Sequence, residues 1–186
     1  AAPGGKAPGQ HGGWLGRAYD PFLVEGDLVN PAWKIPALTL SDGLPLSRLE
    51  HRAALLREIS QQQAALETAA AQRLGAQQEQ AFGLLSSPRI REAFDLAAEP
   101  DPIRDRYGRN MHGQCVLLAR RLIERDVPVV SINWHNDGQT FWDTHGNNFP
   151  RLKDTLIPQA DQALASLLSD LEERGLLADT LIAWIG

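Results

Sequence analysis

The strongest constraint on how this chain can fold is a pattern that occurs twice in its second half: an apolar helical stripe, a Glu-Arg pair, a short turn and a β-branched apolar run with a tryptophan at or near its end. In the first copy, Cys115, Leu118, Ala119, Leu122 and Ile123 share a helix face, Glu124-Arg125 follows, and residues 127–134 form the run, broken only by Pro128. In the second, Leu156, Ala160, Leu164, Leu167, Leu168 and Leu171 form the stripe and Glu173-Arg174 follows. Gly175 then stands at the expected C′ position, before the run over residues 180–185. Helix alternating with strand implies a parallel sheet covered by helices and joined by right-handed crossovers. Two strands are too few to complete such a sheet. With no Met at the start and an apolar run at the end, the sequence reads as a fragment whose remaining strands lie elsewhere.

Upstream the pattern changes. Residues 1–44 are rich in Gly and Pro with scattered aromatics (Trp14, Tyr19, Phe22, Trp33) and keep no period, which predicts an irregular, partly packed arm. Ser47-Arg48-Leu49-Glu50 has the capping-box spacing and starts an amphipathic helix to about residue 73, a coiled-coil arm being the rival that its irregular heptads disfavour. A second helical stretch runs to Leu85, and Ser87-Pro88 starts a short helix that Pro100 and Pro102 end. Pro158 falls early in the last helix, in its first turn or at a kink. The chain thus divides into an irregular arm (1–44), a helical insertion (45–100) and an α/β portion (101–186), all of one incomplete domain.

The chemistry gathers just past the first apolar run, where an α/β protein keeps its site. There stand Trp134-His135-Asn136-Asp137-Gly138 and the loop Trp142-Asp143-Thr144-His145-Gly146-Asn147-Asn148. Asp143 and His145 are two residues apart, so an extended backbone sends both side chains to the same side, roughly 6 to 7 Å apart at Cα. Both can reach one divalent ion, with His135 or Asp137 completing or orienting the shell. The same residues suit a plain turn in which Asp143 caps, His145 bonds to backbone, and Gly and Asn supply the geometry. Trp134 and Trp142 flank the loop as pocket walls or as packing. Arg104, Arg106 and Arg109 match an anion's oxygens, or pair with Asp105 on an exposed surface. His11, beside Gly12 and Gly13, approaches the site or belongs to an uninvolved loop.

A formal charge of −5 leaves no basic stripe for a phosphate backbone, so nucleic acid is not an expected partner. The lone Cys115 lies in a helical stripe and reads as a buried thiol. No run approaches the roughly 20 apolar residues of a membrane span, and the start lacks the regions of a signal peptide. No phosphate loop of the Walker or dinucleotide kind and no Ser, His and Asp order of a hydrolase triad is present.

Several runs together resemble the DUF1501 family, which is sulfatase-like and belongs to the alkaline phosphatase superfamily. They are Trp142-Asp143-Thr144-His145-Gly146-Asn147-Asn148-Phe149-Pro150-Arg151-Leu152-Lys153 and Glu173-Arg174-Gly175-Leu176-Leu177-Ala178-Asp179-Thr180-Leu181. Upstream, Arg104-Asp105-Arg106-Tyr107-Gly108-Arg109 and Pro8-Gly9-Gln10-His11-Gly12-Gly13-Trp14-Leu15-Gly16 extend the likeness over most of the chain. The resemblance implies a doubly wound, alkaline-phosphatase-like parallel sheet and hydrolysis of a small sulfate or phosphate ester at a site with one or two divalent metals (zinc, manganese, calcium or magnesium). It implies Asp143 and His145 as metal ligands, and the residue types beside and before the loop make His135, Asp137, Asn147, Trp142, Arg106 and His11 candidate supporting or substrate residues. It also implies a nucleophile outside this chain, so that the fragment alone is inactive, and a periplasmic or exported location. A non-catalytic member that uses the loop for glycan or protein contact is the alternative.

Overall fold

Proline, glycine and asparagine set where the helices of this chain begin and end. The computed structural model describes residues 12–16, 20–30, 32–35, 51, 54, 55, 58, 88–134 and 142–185. Helix α1 (Pro88–Phe94) starts on a proline, whose missing N–H is one a helix leaves unbonded anyway. Asp95 caps the next 3-10 turn, Leu96–Ala98, by accepting the Ala97 N–H at 3.2 Å. Helix α2 (Asp101–Tyr107) was not expected, because Pro100 and Pro102 read as breakers. Pro102 instead sits in its first turn, where proline is tolerated. Gly108 ends α2 at a φ of 93°, in the region that favours glycine, and Asn110 caps α3 (Met111–Ile123) by accepting the Gly113 N–H at 2.9 Å. A Cβ on Gly113 would lie 2.1 Å from the Tyr107 carbonyl oxygen, so only glycine lets α3 start this close to the end of α2.

Helix α4 (Asn148–Arg151) passes through a π-type turn (Leu152–Leu156) into α5 (Ile157–Glu173). Pro158 has no N–H for the carbonyl four residues back, and the turn before it pairs Ile157 N–H with the Leu152 carbonyl, five residues back. Both long helices end alike. Leu176 N–H reaches Leu171 O at 2.8 Å across Gly175 (φ 70°), as the C′ reading of that glycine expects. Val127 N–H reaches Leu122 O at 3.2 Å across Asp126 (φ 62°) in the same motif without glycine.

The expected doubly wound parallel sheet is not found: no residue among those described is in a strand. Residues 127–134 and 180–185 carry the β-branched side chains that favour an extended backbone, but a strand also needs ladder bonds to a neighbour, and none pairs with them among the described residues. The described α/β portion is helical. Its core is α3 and α5 packed together, with α2 against both. Tyr107, Leu117, Leu118, Leu156, Ala160, Ala163 and Leu171 are buried there.

The buried faces overlap the apolar stripes, with Leu118 and Ala119 of α3 and Ala160 and Leu171 of α5 buried as expected, but they extend beyond them. In α5, Ala163, Ser166 and Asp170 are buried, whereas Leu168 of the expected stripe is 40% exposed. Small residues let α2 and α5 approach closely, and Ser166 Oγ donates to the Arg106 carbonyl at 2.7 Å. In α3 the buried positions include Gly113, Leu117 and Arg120, which recur every three or four residues beside the expected stripe. Cys115 is half-buried, and burial pushes its thiol up to about 11.

Arg120 is 1% exposed and gathers the polar interior. It meets Glu99 at 2.9 Å, Glu124 at 2.8 Å and, obliquely through Nε, Asp170 at 2.9 Å. Asp170 is 2% exposed; it also accepts from Tyr107 Oη at 2.8 Å and from Arg174 Nε at 2.8 Å. Burial alone would raise the Asp170 carboxyl, but the bonds from Arg174 and Tyr107 and the charge of Arg120 outweigh it and hold the group below its ordinary value. Glu99 is likewise held low against burial by Arg120 and Arg121. Arg104 is buried too: its Nε donates to Gln114 Oε1 at 2.8 Å, and its Nη2 to the Leu28 carbonyl at 3.4 Å.

The chain forms two compact units. One holds Gly26–Trp33 and everything described from Ala93 on; the other holds the described parts of Pro3–Glu25 and Lys34–Glu92. In the second unit, Gly13–Leu15 is a 3-10 turn, Gly12 N–H donates to Asp20 Oδ1 at 2.6 Å, and residues 51, 54, 55 and 58 are helical. The rest of the predicted helix to residue 73, and the stretch to Leu85, lie outside the described residues. No helix among those described is long and apolar enough to cross a membrane.

Candidate functional site

Residue alternation in the loop and the turn after it bring Asp143 and His145 face to face. His145 Nε2 stands 3.0 Å from Asp143 Oδ2, with the side chains 80% and 73% exposed. Asp143 contributes anionic oxygens and His145 an imidazole nitrogen, a donor set suited to a borderline divalent ion. Ligand atoms about 2.0 to 2.2 Å from one tetrahedral ion stand roughly 3.3 Å apart, so this pair needs only a small opening to share one. The donors present therefore fit. No set of three or more His, Cys, Asp or Glu side chains able to hold a metal occurs among the described residues.

The loop backbone is strained around this pair. His145 has a φ of 49° and Asn147 a φ of 55°, both left-handed in residues that carry a Cβ. Gly146 N–H donates to the Thr144 carbonyl, closing a three-residue turn centred on His145. Asn147 leads into α4 from its N-cap position. Thr144 Oγ1 donates to Asn148 Oδ1, and Arg151 Nη1 to the Thr144 carbonyl at 3.2 Å. Strain of this kind costs about 1 to 3 kcal/mol and survives where surrounding bonds enforce it.

Rings lie beside the loop. His112, buried in the first turn of α3, stacks on Trp134 at 3.6 Å and 17°. Trp134 meets Trp142 edge to face at 5.2 Å, and Trp142 meets Trp184 at 6.2 Å and 88°. Edge-to-face pairs of this kind each contribute about 0.5 to 1.5 kcal/mol beyond area burial. The contacts join the start of α3, the ends of both apolar runs and the candidate loop. Trp142 and Trp184 remain exposed, and Phe149 and Ile185 are exposed too.

The other candidates are placed differently. Arg106 pairs with Glu173 at 2.9 and 3.1 Å, across α2 and α5. Arg109 binds Asp101 and Asp105 on the surface, and Arg104 is committed to Gln114 and Leu28. His11, His135 and Asp137 lie outside the described residues. Two features escaped the sequence reading. One is Trp184 and His112 as members of the ring cluster; a tryptophan near the end of each apolar run was their only signal. The other is the tie from Arg151 to Thr144, for which a lone arginine seven residues on gave none.

Residues 1–186 match the family model described as a protein of unknown function, DUF1501. No curated protein and no solved structure matches the chain.

Proposed function

The chain belongs to the DUF1501 family, and from that premise and the loop chemistry we propose that it is the carboxyl-side portion of a sulfatase-like, metal-dependent hydrolase of small sulfate or phosphate esters. The observation that carries this reading is the Asp143–His145 pair, exposed and held 3.0 Å apart in a strained turn. Asp143 and His145 hold a divalent ion (zinc, manganese, calcium or magnesium), and Trp142 and Trp184 wall the approach. The chemistry such an ion supplies when bound is stabilisation of charge on the transferred group and activation of a nucleophile. The reading rests on the loop and on the family likeness, not on a sheet. In it the nucleophile and the remaining metal ligands lie outside the described residues, the isolated chain is inactive, and the full-length protein is exported.

The exposed rings favour one competing reading, a binding member of the family that uses the aromatic rim for glycan contact without catalysis. Metal analysis and ester hydrolysis on the full-length protein separate the two. The hydrolase reading expects a bound divalent ion that is lost in both Asp143→Ala and His145→Ala, together with turnover of an aryl sulfate or aryl phosphate. Stoichiometric metal in both variants removes these residues from the site. Metal binding without turnover of either ester favours the binding member.

A further inference from the structure

The residue between the two donors, Thr144, is held twice from α4. Arg151, the last residue of that helix, donates Nη1 to its carbonyl oxygen at 3.2 Å, and Asn148 accepts its hydroxyl. The Thr144 carbonyl belongs to the peptide that leads into His145, so its direction sets where the imidazole leaves the chain. The same oxygen takes the Gly146 N–H and closes the turn that holds His145 at a φ of 49°. A backbone in that region relaxes towards negative φ unless it is held, and relaxation would swing the ring away from Asp143. Asp143 is largely exposed, so burial does not hold the pair together.

We infer that Arg151 is a positioning residue for a divalent-cation site at Asp143 and His145: its guanidinium fixes the Thr144–His145 peptide and keeps both donors on one side of the loop. The inference rests on the proposed metal role of that pair. Arg151 touches neither donor in this scheme. It acts through the backbone between them, as partners that orient ligands do, and loss of such a partner weakens metal binding by about 10- to 100-fold.

The test is calorimetric titration of zinc into the full-length protein, with thermal melting in parallel. Arg151→Gln is expected to weaken zinc binding at least about tenfold at unchanged stoichiometry, and Arg151→Lys, which keeps a donor and the charge, to recover part of the loss. The double variant Asp143→Ala/His145→Ala sets the background. Native protein that binds no more zinc than this background overturns the proposed metal site itself. Native protein that binds above background while Arg151→Gln binds equally tightly overturns the role of Arg151 and leaves the site standing. If Arg151→Gln does not fold, Arg151→Met, which keeps the side chain's length without a donor, is read instead; unchanged affinity there overturns the inference. A fall in melting temperature without a fall in affinity assigns Arg151 to stability alone and also overturns the inference.

Discussion

Asp170 and Asp143 each face a nitrogen base about 3 Å away, yet one is 2% and the other 73% exposed. Asp170 is surrounded by Arg120, Arg174 and Tyr107, so its oxygens are committed and its charge is matched between the helices. Asp143 has His145 on one side and solvent on the other. The first arrangement is structural, because leaving any member unpaired in that interior is costly. The second leaves donor atoms available to a ligand. An acid beside a base is therefore uninformative about function until its burial is known.

The largest expected effect tests the buried end of this contrast. Arg120→Met keeps most of the volume but strips three carboxylates of their shared cation, and unfolding in urea should show a loss of about 3 to 5 kcal/mol. A loss below about 1 kcal/mol would make the cluster no more structural than a surface pair. Acid should expose the same cluster. Asp170 and Glu99 are held below their ordinary values when folded, so their contribution is complete above the unfolded carboxylate range near pH 4 and is lost as pH falls through the lower folded values. Urea midpoints should fall from about pH 5 downward in the native protein and less steeply in Arg120→Met; parallel curves would separate this arginine from the acid limb.

Smaller effects mark the exposed end. Arg106→Ala removes the fork to Glu173 at the surface, and a loss of about 0.2 to 1 kcal/mol is expected. Asp143→Ala and His145→Ala should each change stability by less than about 0.5 kcal/mol while abolishing zinc binding. A destabilisation comparable to that of Arg120→Met would place the loop pair among the structural contacts and erase the contrast.

Much of the helical layout could be read from particular residues. Pro88 marks the start of α1, Gly175 sits at C′ of α5, and Pro158 falls in the first turn of α5, because each follows from backbone sterics within a few residues. The sheet could not be inferred from residues 127–134 and 180–185, since β-branched runs state a local preference and pairing is a property of neighbours. The face buried by α5 was read only in part, since Ala160 and Leu171 of the leucine stripe are buried and Leu168 is exposed. Leucines at helical spacing announce an apolar side, but close approach selected Ala163, Ser166 and Asp170. At the candidate site, Asp143 and His145 stood out by type and spacing, whereas Arg151 and Trp184 did not, because the interactions that matter there reach across turns and between segments.

The sequence by itself determined several helix ends, the placement of an acid and an imidazole two residues apart, and the family likeness, since all three depend on residue identity and short-range spacing. Only the tertiary structure decided that Arg120 is buried among three carboxylates, that His145 is held against Asp143 in a left-handed turn, and that rings from four places in the chain meet beside that loop. Burial and through-space contact depend on which surfaces meet, and no local window of sequence carries that information.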